Sequence, residues 1–155
     1  MLRARPYDDI AATLTARGTS AERRRAVVDA LWAALHDRGV SWVGFYLERP
    51  EEPDDRRLVL EVCRDRPACS PIGSHGACGR ALRSGRTLIV DDVTELGDGY
   101  IACDPRDRSE IVVPLIDPGT ERGVLDLDSH ELAAFDESDA HGLQRVLRVA
   151  GLLAE

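Results

Sequence analysis

The sequence predicts an α+β domain in which a central antiparallel sheet carries helices on one face and a loop-covered ligand pocket on the other. Two observations indicate this fold. Amphipathic helical segments lie near both ends of the chain, and short segments that alternate apolar and polar residues fill its middle. Turn residues join several of these short segments, as in antiparallel sheets. We expect residues 1–155 to form this single domain.

The composition excludes several classes of function. A formal net charge of −8 argues against a nucleic-acid partner, because backbone phosphates would be repelled. No apolar run approaches the roughly 20 residues that cross a bilayer, and the first residues lack the apolar segment of a secretory signal. We therefore expect a cytoplasmic protein that binds neither nucleic acid nor membranes. Thiols stay reduced in that compartment, which favours buried, metal-binding or redox-active roles for the four cysteines.

The helices are predicted at the two ends of the chain. A short helix covers 7–16, and a longer one begins at the capping box of Thr19 and Glu22 and ends before Gly39. The residues 135–138 cap the last helix. The apolar side chains recur at helical spacing in both long helices: Val27, Val28, Leu31, Trp32 and Leu35 in the first, and Leu143, Val146, Leu147, Ala150 and Leu153 in the second.

The first predicted strand, 41–47, carries two aromatic residues on one face. Trp42, Gly44 and Tyr46 alternate with apolar residues that point to the other face. Either the two aromatic rings fill a core, or they line a ligand site, since the glycine between them leaves open space that a ligand could occupy. Further strands are predicted at 58–63, 87–90, 110–116 and 123–129.

Three carboxylates are predicted to share a face of the sheet. In the last strand Asp126 and Asp128 alternate with leucines, so both point away from the apolar face. In the strand before it, Glu110 alternates with Ile111 and the apolar residues after it. If the two apolar rows share the helix-covered face, Glu110 joins the aspartates on the opposite one.

The cysteines other than Cys63 lie in or beside irregular segments. Cys69 lies in 64–77, which shows no periodicity, and Cys78 begins a short helix over 78–84. Cys103 lies in the connection 91–108, and loops of such length inside compact domains are often functional. Cys63 is predicted to be a buried strand residue.

A thiol, a nearby carboxylate and a mobile loop together indicate a site of chemistry. Reduction of a sulfoxide needs an attacking thiolate and a proton donor for the departing oxygen. Glu110 suits the second task if burial raises its pKa, whereas Asp126 and Asp128 would remain ionised and bind an ammonium group. The alternatives are a solvated strand end for Glu110 and a solvent-facing stripe for the aspartates.

A zinc site is the other chemistry that the cysteines allow. Its ligands would be Cys69, His75, Cys78 and Cys103, but the paired Cys-x-x-Cys spacing of structural zinc sites is absent. We therefore predict no metal ligands and no cofactor.

One set of stretches along the chain matches the motifs of a known family: 42–47, 67–69, 76–79, 91–93, 101–104, 109–115, 123–129 and 135–136. They resemble the motifs of the free methionine-(R)-sulfoxide reductases, which are single GAF domains. The resemblance runs in order from about residue 25 to the end, and its cysteine and acidic motifs are more specific than the general GAF pattern. The segment 70–77 is one residue shorter than in the family, and 61–66 lacks its usual Gly-Pro-Phe-Gln-Gly.

The resemblance implies a GAF-like fold and a thiol-dependent reductase of free methionine-(R)-sulfoxide. It implies that Cys103 attacks the sulfoxide sulfur and becomes a sulfenic acid. Cys69 or Cys78 would then form an intramolecular disulfide with it, which thioredoxin reduces. Because Cys69 lies on a segment that can move, we favour it as the resolving thiol.

The resemblance also implies the roles of the substrate-binding residues. Glu110 would polarise the sulfoxide oxygen, Asp126 and Asp128 would hold the amino group, and Trp42 and Tyr46 would enclose the methyl end. GAF domains commonly pair through their helices, so we expect a homodimer. The alternative function is a non-catalytic GAF module that binds a small ligand and signals through a partner, although such modules do not need three cysteines.

Overall fold

The computed structural model describes residues 4–100 and 103–154. Ile101 and Ala102, which belong to the motif that ends in Cys103, lie outside the described residues, as do residues 1–3 and 155. Five strands form one sheet: β1 (Trp42–Glu48), β2 (Leu58–Arg64), β3 (Leu88–Val90), β4 (Ser109–Leu115) and β5 (Gly123–Ser129). Their order in the sheet is β2-β1-β5-β4-β3, and every neighbouring pair is antiparallel. The predicted antiparallel sheet is confirmed.

Four α-helices accompany the sheet: α1 (Tyr7–Ala12), α2 (Ser20–Leu35), α3 (Ala77–Ser84) and α4 (Glu137–Val149). Short 3-10 turns cover Asp54–Arg56 and Val93–Gly99. The hydroxyl of Thr19 accepts a hydrogen bond from the backbone of Glu22, as predicted, and Asp136 and Asp139 form a capping box on α4. The first helix ends at Ala12 rather than residue 16, because the next residues include Thr13 and Thr15, which have low helix propensity; the Thr13 hydroxyl donates to the carbonyl of Ile10 at the last turn.

The main core lies between one face of the sheet and the helices α1, α2 and α4. The apolar rows of β1, β4 and β5 point to this face, as the alternation predicted. Contacts join α2 to β1 and β2, and α4 to β4, while α1 packs on α4. The largest fully buried side chains of this core include Leu31, Phe45, Ile111, Leu125, Leu127, Leu143 and Leu147. No helix among the described residues is long and apolar enough to cross a membrane.

A second, smaller apolar cluster lies on the opposite face of the sheet. Loops were predicted to cover this face, but helix α3 also covers it and packs on β4 and β5. Ala77, Cys78, Ala81 and Leu82 supply its buried side. Gly79 lets the segment before α3 pack closely against this helix, because a Cβ at that position would collide with the backbone of Ser74. The pocket described below lies between this cover and the sheet.

Candidate active site

The register of the sheet brings the three acidic side chains together. Asp126 lies opposite Gly44, and Asp128 lies opposite both Trp42 and Glu110. Residues directly opposite each other on antiparallel strands point to the same face. The structure therefore places Glu110 with the two aspartates, on the face away from the main core, as predicted. Glu110 and Asp126 are only 6% and 5% exposed, which excludes the solvated alternatives for these two residues.

The aromatic pair forms one wall of the same site. The rings of Trp42 and Tyr46 are stacked with centroids 5.9 Å apart, and both residues are buried. The expectation that Gly44 leaves open space for a ligand is wrong, because the indole ring lies directly over it and a Cβ there would clash with that ring. The glycine thus leaves room for the indole ring of Trp42, and both Trp42 and Tyr46 line the pocket.

A disulfide joins Cys69 to Cys103, and Cys103 lines the pocket. Their Cα atoms are 5.6 Å apart, although the residues are 34 positions apart in the chain. The hydroxyl of Tyr46 donates a 2.7 Å hydrogen bond to the carbonyl of Cys69, so the aromatic wall also holds the segment that carries this cysteine. The shorter 70–77 segment therefore leaves Cys69 within reach of Cys103, and a zinc site that needs both as thiolates is incompatible with this bond.

The two remaining cysteines differ in their surroundings. Cys78 is buried in the pocket wall, where burial and the nearby Asp126, Glu110 and Asp128 raise the pKa of its thiol well above the ordinary value. It therefore stays protonated and is a poor nucleophile. Cys63 was predicted to be buried, but it is partly exposed because β2 is an edge strand of the sheet. Burial still raises the pKa of its thiol.

The surroundings of Glu110, Asp126 and Asp128 favour the protonated form of their carboxyl groups. Burial raises the pKa of Glu110, and burial with mutual repulsion raises the pKa of Asp126 and Asp128 well above the ordinary carboxyl value. The expectation for Glu110 is met. The expectation that Asp126 and Asp128 remain ionised is therefore not met in the pocket without a bound cation, where the charged groups around them are other carboxylates. Ionisation of the pair would require a cation beside it, and one Asp126 oxygen is buried without a hydrogen bond from any described residue.

Two further residues of the pocket were not identified from the sequence. Tyr100 and Asp107 line it together with the residues already named. Asp107 is buried near Asp104, and the two effects raise the pKa of its carboxyl to about 6. Both residues lie in the irregular connection 91–108, where no periodicity assigns a side chain to a face, so the sequence held no signal for them. The remaining lining residues are Pro67, Ala68, Ile72, Gly73, Gly76 and Ala77.

The amino end of α3 faces the pocket as well. Gly76, Ala77 and Cys78 line the cavity, and Gly76 caps the helix without a side-chain hydrogen bond to its first turn. The first N–H groups of a helix have no partner within the helix and carry a partial positive charge. One side of the pocket therefore offers N–H donors, and another offers carboxyl groups.

The buried carboxyl cluster should make the stability of the protein depend on pH. A carboxyl whose pKa is raised by folding binds its proton more tightly in the native state, so its contribution to stability is lost as pH rises from about 4 through the raised pKa. We expect the oxidised protein to melt at a lower temperature at pH 8 than at pH 5. Asp126→Asn removes one of these titrating groups and should raise the melting temperature at pH 8 with little effect at pH 5. Equal shifts at both pH values would contradict this origin.

Comparison with known proteins identifies the fold. The family profile described as GAF domain matches residues 21–153. A GAF domain-containing protein of Dictyostelium discoideum is 43% identical over 109 residues, which are 70% of this chain and 66% of that protein. The chain thus belongs to the GAF-domain family.

Other proteins similar in sequence to this chain are named as enzymes of one kind. The free methionine-R-sulfoxide reductase of Escherichia coli is 37% identical over 119 residues, 74% of this chain and 68% of that protein. The free methionine-R-sulfoxide reductase of Saccharomyces cerevisiae is 36% identical over 123 residues, which are 77% of this chain and 67% of that protein. Within the GAF family, the chain belongs to the free methionine-R-sulfoxide reductases. It spans about two thirds of the length of these curated relatives.

Solved structures agree with this assignment. The free methionine-R-sulfoxide reductase from Neisseria meningitidis, in complex with its substrate, is 34% identical and superposes with a TM-score of 0.78 over 93% of this chain and 83% of its own. The reduced form of the Staphylococcus aureus enzyme is 29% identical, with a TM-score of 0.82 over 99% of both chains.

Proposed function

We propose that this chain reduces free methionine-(R)-sulfoxide to methionine, with Cys103 as nucleophile and Cys69 as resolving thiol. The observation that carries the proposal is the Cys69–Cys103 disulfide at a pocket whose floor holds Glu110 and the two aspartates. A binding module has no need of a redox-active pair beside buried acids. The named relatives support the substrate class.

The pocket fits a free amino acid at both of its charged groups. The ammonium group would lie against Asp126 and Asp128, where the buried Asp126 oxygen accepts no hydrogen bond from the described residues. The carboxylate would accept hydrogen bonds from the first N–H groups of α3. The methyl end of the side chain would contact the Trp42 and Tyr46 rings. A residue within a peptide lacks both charges, which restricts the site to free methionine sulfoxide.

The chemistry then proceeds in two steps. The Cys103 thiolate attacks the sulfoxide sulfur while Glu110, protonated because burial raises its pKa, donates a proton to the oxygen. The oxygen then moves from the substrate sulfur to the Cys103 sulfur as the bond formed by the attack breaks, which leaves a sulfenic acid on Cys103 and releases methionine. The Cys69 thiol next attacks the Cys103 sulfur, which releases water and forms the disulfide seen here. A dithiol reductant of the thioredoxin kind would regenerate both thiols by exchange.

Both disulfide cysteines are partly exposed, so such a reductant can reach the bond. A homodimer formed through the helices and a cytoplasmic location remain predictions.

A coupled assay tests the proposed function. NADPH consumption is followed with thioredoxin, thioredoxin reductase and the separated epimers of free methionine sulfoxide. We expect turnover of the R epimer and little turnover of the S epimer. A ligand-binding module without catalysis would consume no NADPH with either epimer and would retain its ligand after its thiols are alkylated.

The resolving thiol is tested by separate cysteine variants. After oxidation by substrate, the wild-type protein should contain the Cys69–Cys103 bridge by mass spectrometry. Cys69→Ser should complete one turnover and then stop as the sulfenic acid, whereas Cys78→Ser should keep cycling because its thiol is held protonated. A dominant bridge between Cys78 and Cys103, with Cys69→Ser still cycling, would assign the role to Cys78 instead.

Ammonium binding is tested at the aspartates. Asp126→Asn and Asp128→Asn each remove a charge that faces the ammonium group, and a charge-assisted hydrogen bond contributes about 1.5 to 3 kcal/mol, so KM should rise roughly ten- to a hundredfold. N-acetylated methionine sulfoxide should be an equally poor substrate of the wild-type protein. An unchanged KM in both variants would show that the pair does not contact the substrate.

A further inference from the structure

A second cluster of polar side chains lies beside the disulfide, where the segment after Cys103 meets the residue that follows β5. His130 Nε2 is 3.0 Å from Asp104 Oδ2 and 3.7 Å from Asp107 Oδ1. One ligand atom from each of the three side chains lies within 4.8 Å of the others. These atoms are close enough to share a single cation.

Asp107 provides an independent indication of a ligand. Its side chain is 7% exposed, yet Oδ1 is buried and accepts no hydrogen bond from the described residues. Leaving a buried carboxylate oxygen unpaired is unfavourable. A cation bound at Asp107 Oδ1 would supply the missing interaction.

We propose that Asp104, Asp107 and His130 form a binding site for a divalent transition-metal ion of the Zn²⁺ or Mn²⁺ kind. Two carboxylate oxygens and one imidazole nitrogen suit these ions, and water can occupy the remaining coordination positions. The site differs from the predicted Cys69, His75, Cys78 and Cys103 set and uses none of those residues.

The surroundings of the site allow an ion to enter and be held. The side chain of His130 is 38% exposed, which gives a path from solvent. The backbone N–H of Arg106 donates to Asp104 Oδ1 at 3.0 Å and orients that carboxylate. The guanidinium of Arg106 also contacts Asp104, but this side chain is 65% exposed and can turn into solvent when an ion arrives.

The site would couple the ion to the reactive loop. Asp107 also lines the substrate pocket, and Asp104 directly follows Cys103. A bound ion would therefore fasten the segment after Cys103 to the end of β5. The other group of close ligand atoms in the described residues, Cys78, Glu110 and Asp126, belongs to the substrate pocket and contains a thiol. Spectroscopy can distinguish the two places for that reason.

The test uses this chain in its oxidised form, in which Cys69 and Cys103 are not available as ligands. Mn²⁺ binding is followed by the loss of the free-ion EPR signal, and Co²⁺ binding by visible absorption. We expect one saturable ion per chain and a Co²⁺ spectrum without a thiolate charge-transfer band. Asp107→Asn and His130→Gln should each weaken binding at least about tenfold, since even outer-shell changes cost that much.

Matched controls separate local ligation from general charge. Asp37→Asn and His141→Gln change the same residue types at exposed positions and should bind as the wild type does. His130 lies at the surface, so its variant remains informative if Asp107→Asn fails to fold. Absence of binding to the wild type would overturn the proposal. So would equal affinity in the His130 variant, or a thiolate band that disappears in Cys78→Ala.

Discussion

Replacing Cys103 by serine is expected to abolish methionine formation, even in a single turnover of the reduced protein. The attacking thiolate is lost, and a serine hydroxyl, which stays protonated at neutral pH, cannot attack the sulfoxide sulfur at a comparable rate. Substrate binding should persist, because the groups proposed to hold the amino acid lie on β5 and α3. The measurement is the methionine released in one turnover together with the dissociation constant for methionine.

Cys63→Ser is the matched control for this variant. Cys63 is also partly exposed, but it belongs to no disulfide and does not line the pocket. It should retain the wild-type rate. Methionine formation by Cys103→Ser near that rate would show that another thiol performs the attack.

Replacing Glu110 by glutamine is expected to lower kcat by about 10² to 10⁴-fold, the usual contribution of a positioned general acid. Glutamine has nearly the shape of the protonated acid and can still donate a hydrogen bond, but it cannot transfer a proton to the departing oxygen. KM should change far less than kcat, because the ammonium and carboxylate contacts are made elsewhere. Steady-state kinetics with excess reductant separate the two constants.

The control is Glu95→Gln, which makes the same change at an exposed position outside the pocket. Its kinetics should match the wild type. A Glu110→Gln variant that keeps its kcat while KM rises would place Glu110 among the binding groups and leave the proton donor to be found elsewhere.

The periodicity of the strands determined much of the site in advance. Because side chains alternate along a strand, the pattern around Asp126 and Asp128 assigned both to one face, and the same rule added Glu110, Trp42 and Tyr46. The register of β1, β4 and β5 agrees with that assignment. Apolar spacing and capping residues likewise predicted the helices of the main core to within a few residues at each end.

Only the tertiary structure decided the features that depend on distance between remote segments. The sequence favoured Cys69 over Cys78 as the partner of Cys103 but left both open, because these cysteines lie in or beside irregular segments that no periodicity describes. Asp107 and its contact with His130 could not be predicted either, because Asp107 also lies in an irregular segment. Protonation of Asp126 and Asp128 was also beyond the sequence, since a carboxyl pKa depends on burial and on neighbouring charges in space. The local sequence pattern thus predicts which face of the sheet a side chain lies on, because it depends only on neighbouring residues. Contacts between remote residues and the protonation of buried carboxyl groups depend on tertiary packing.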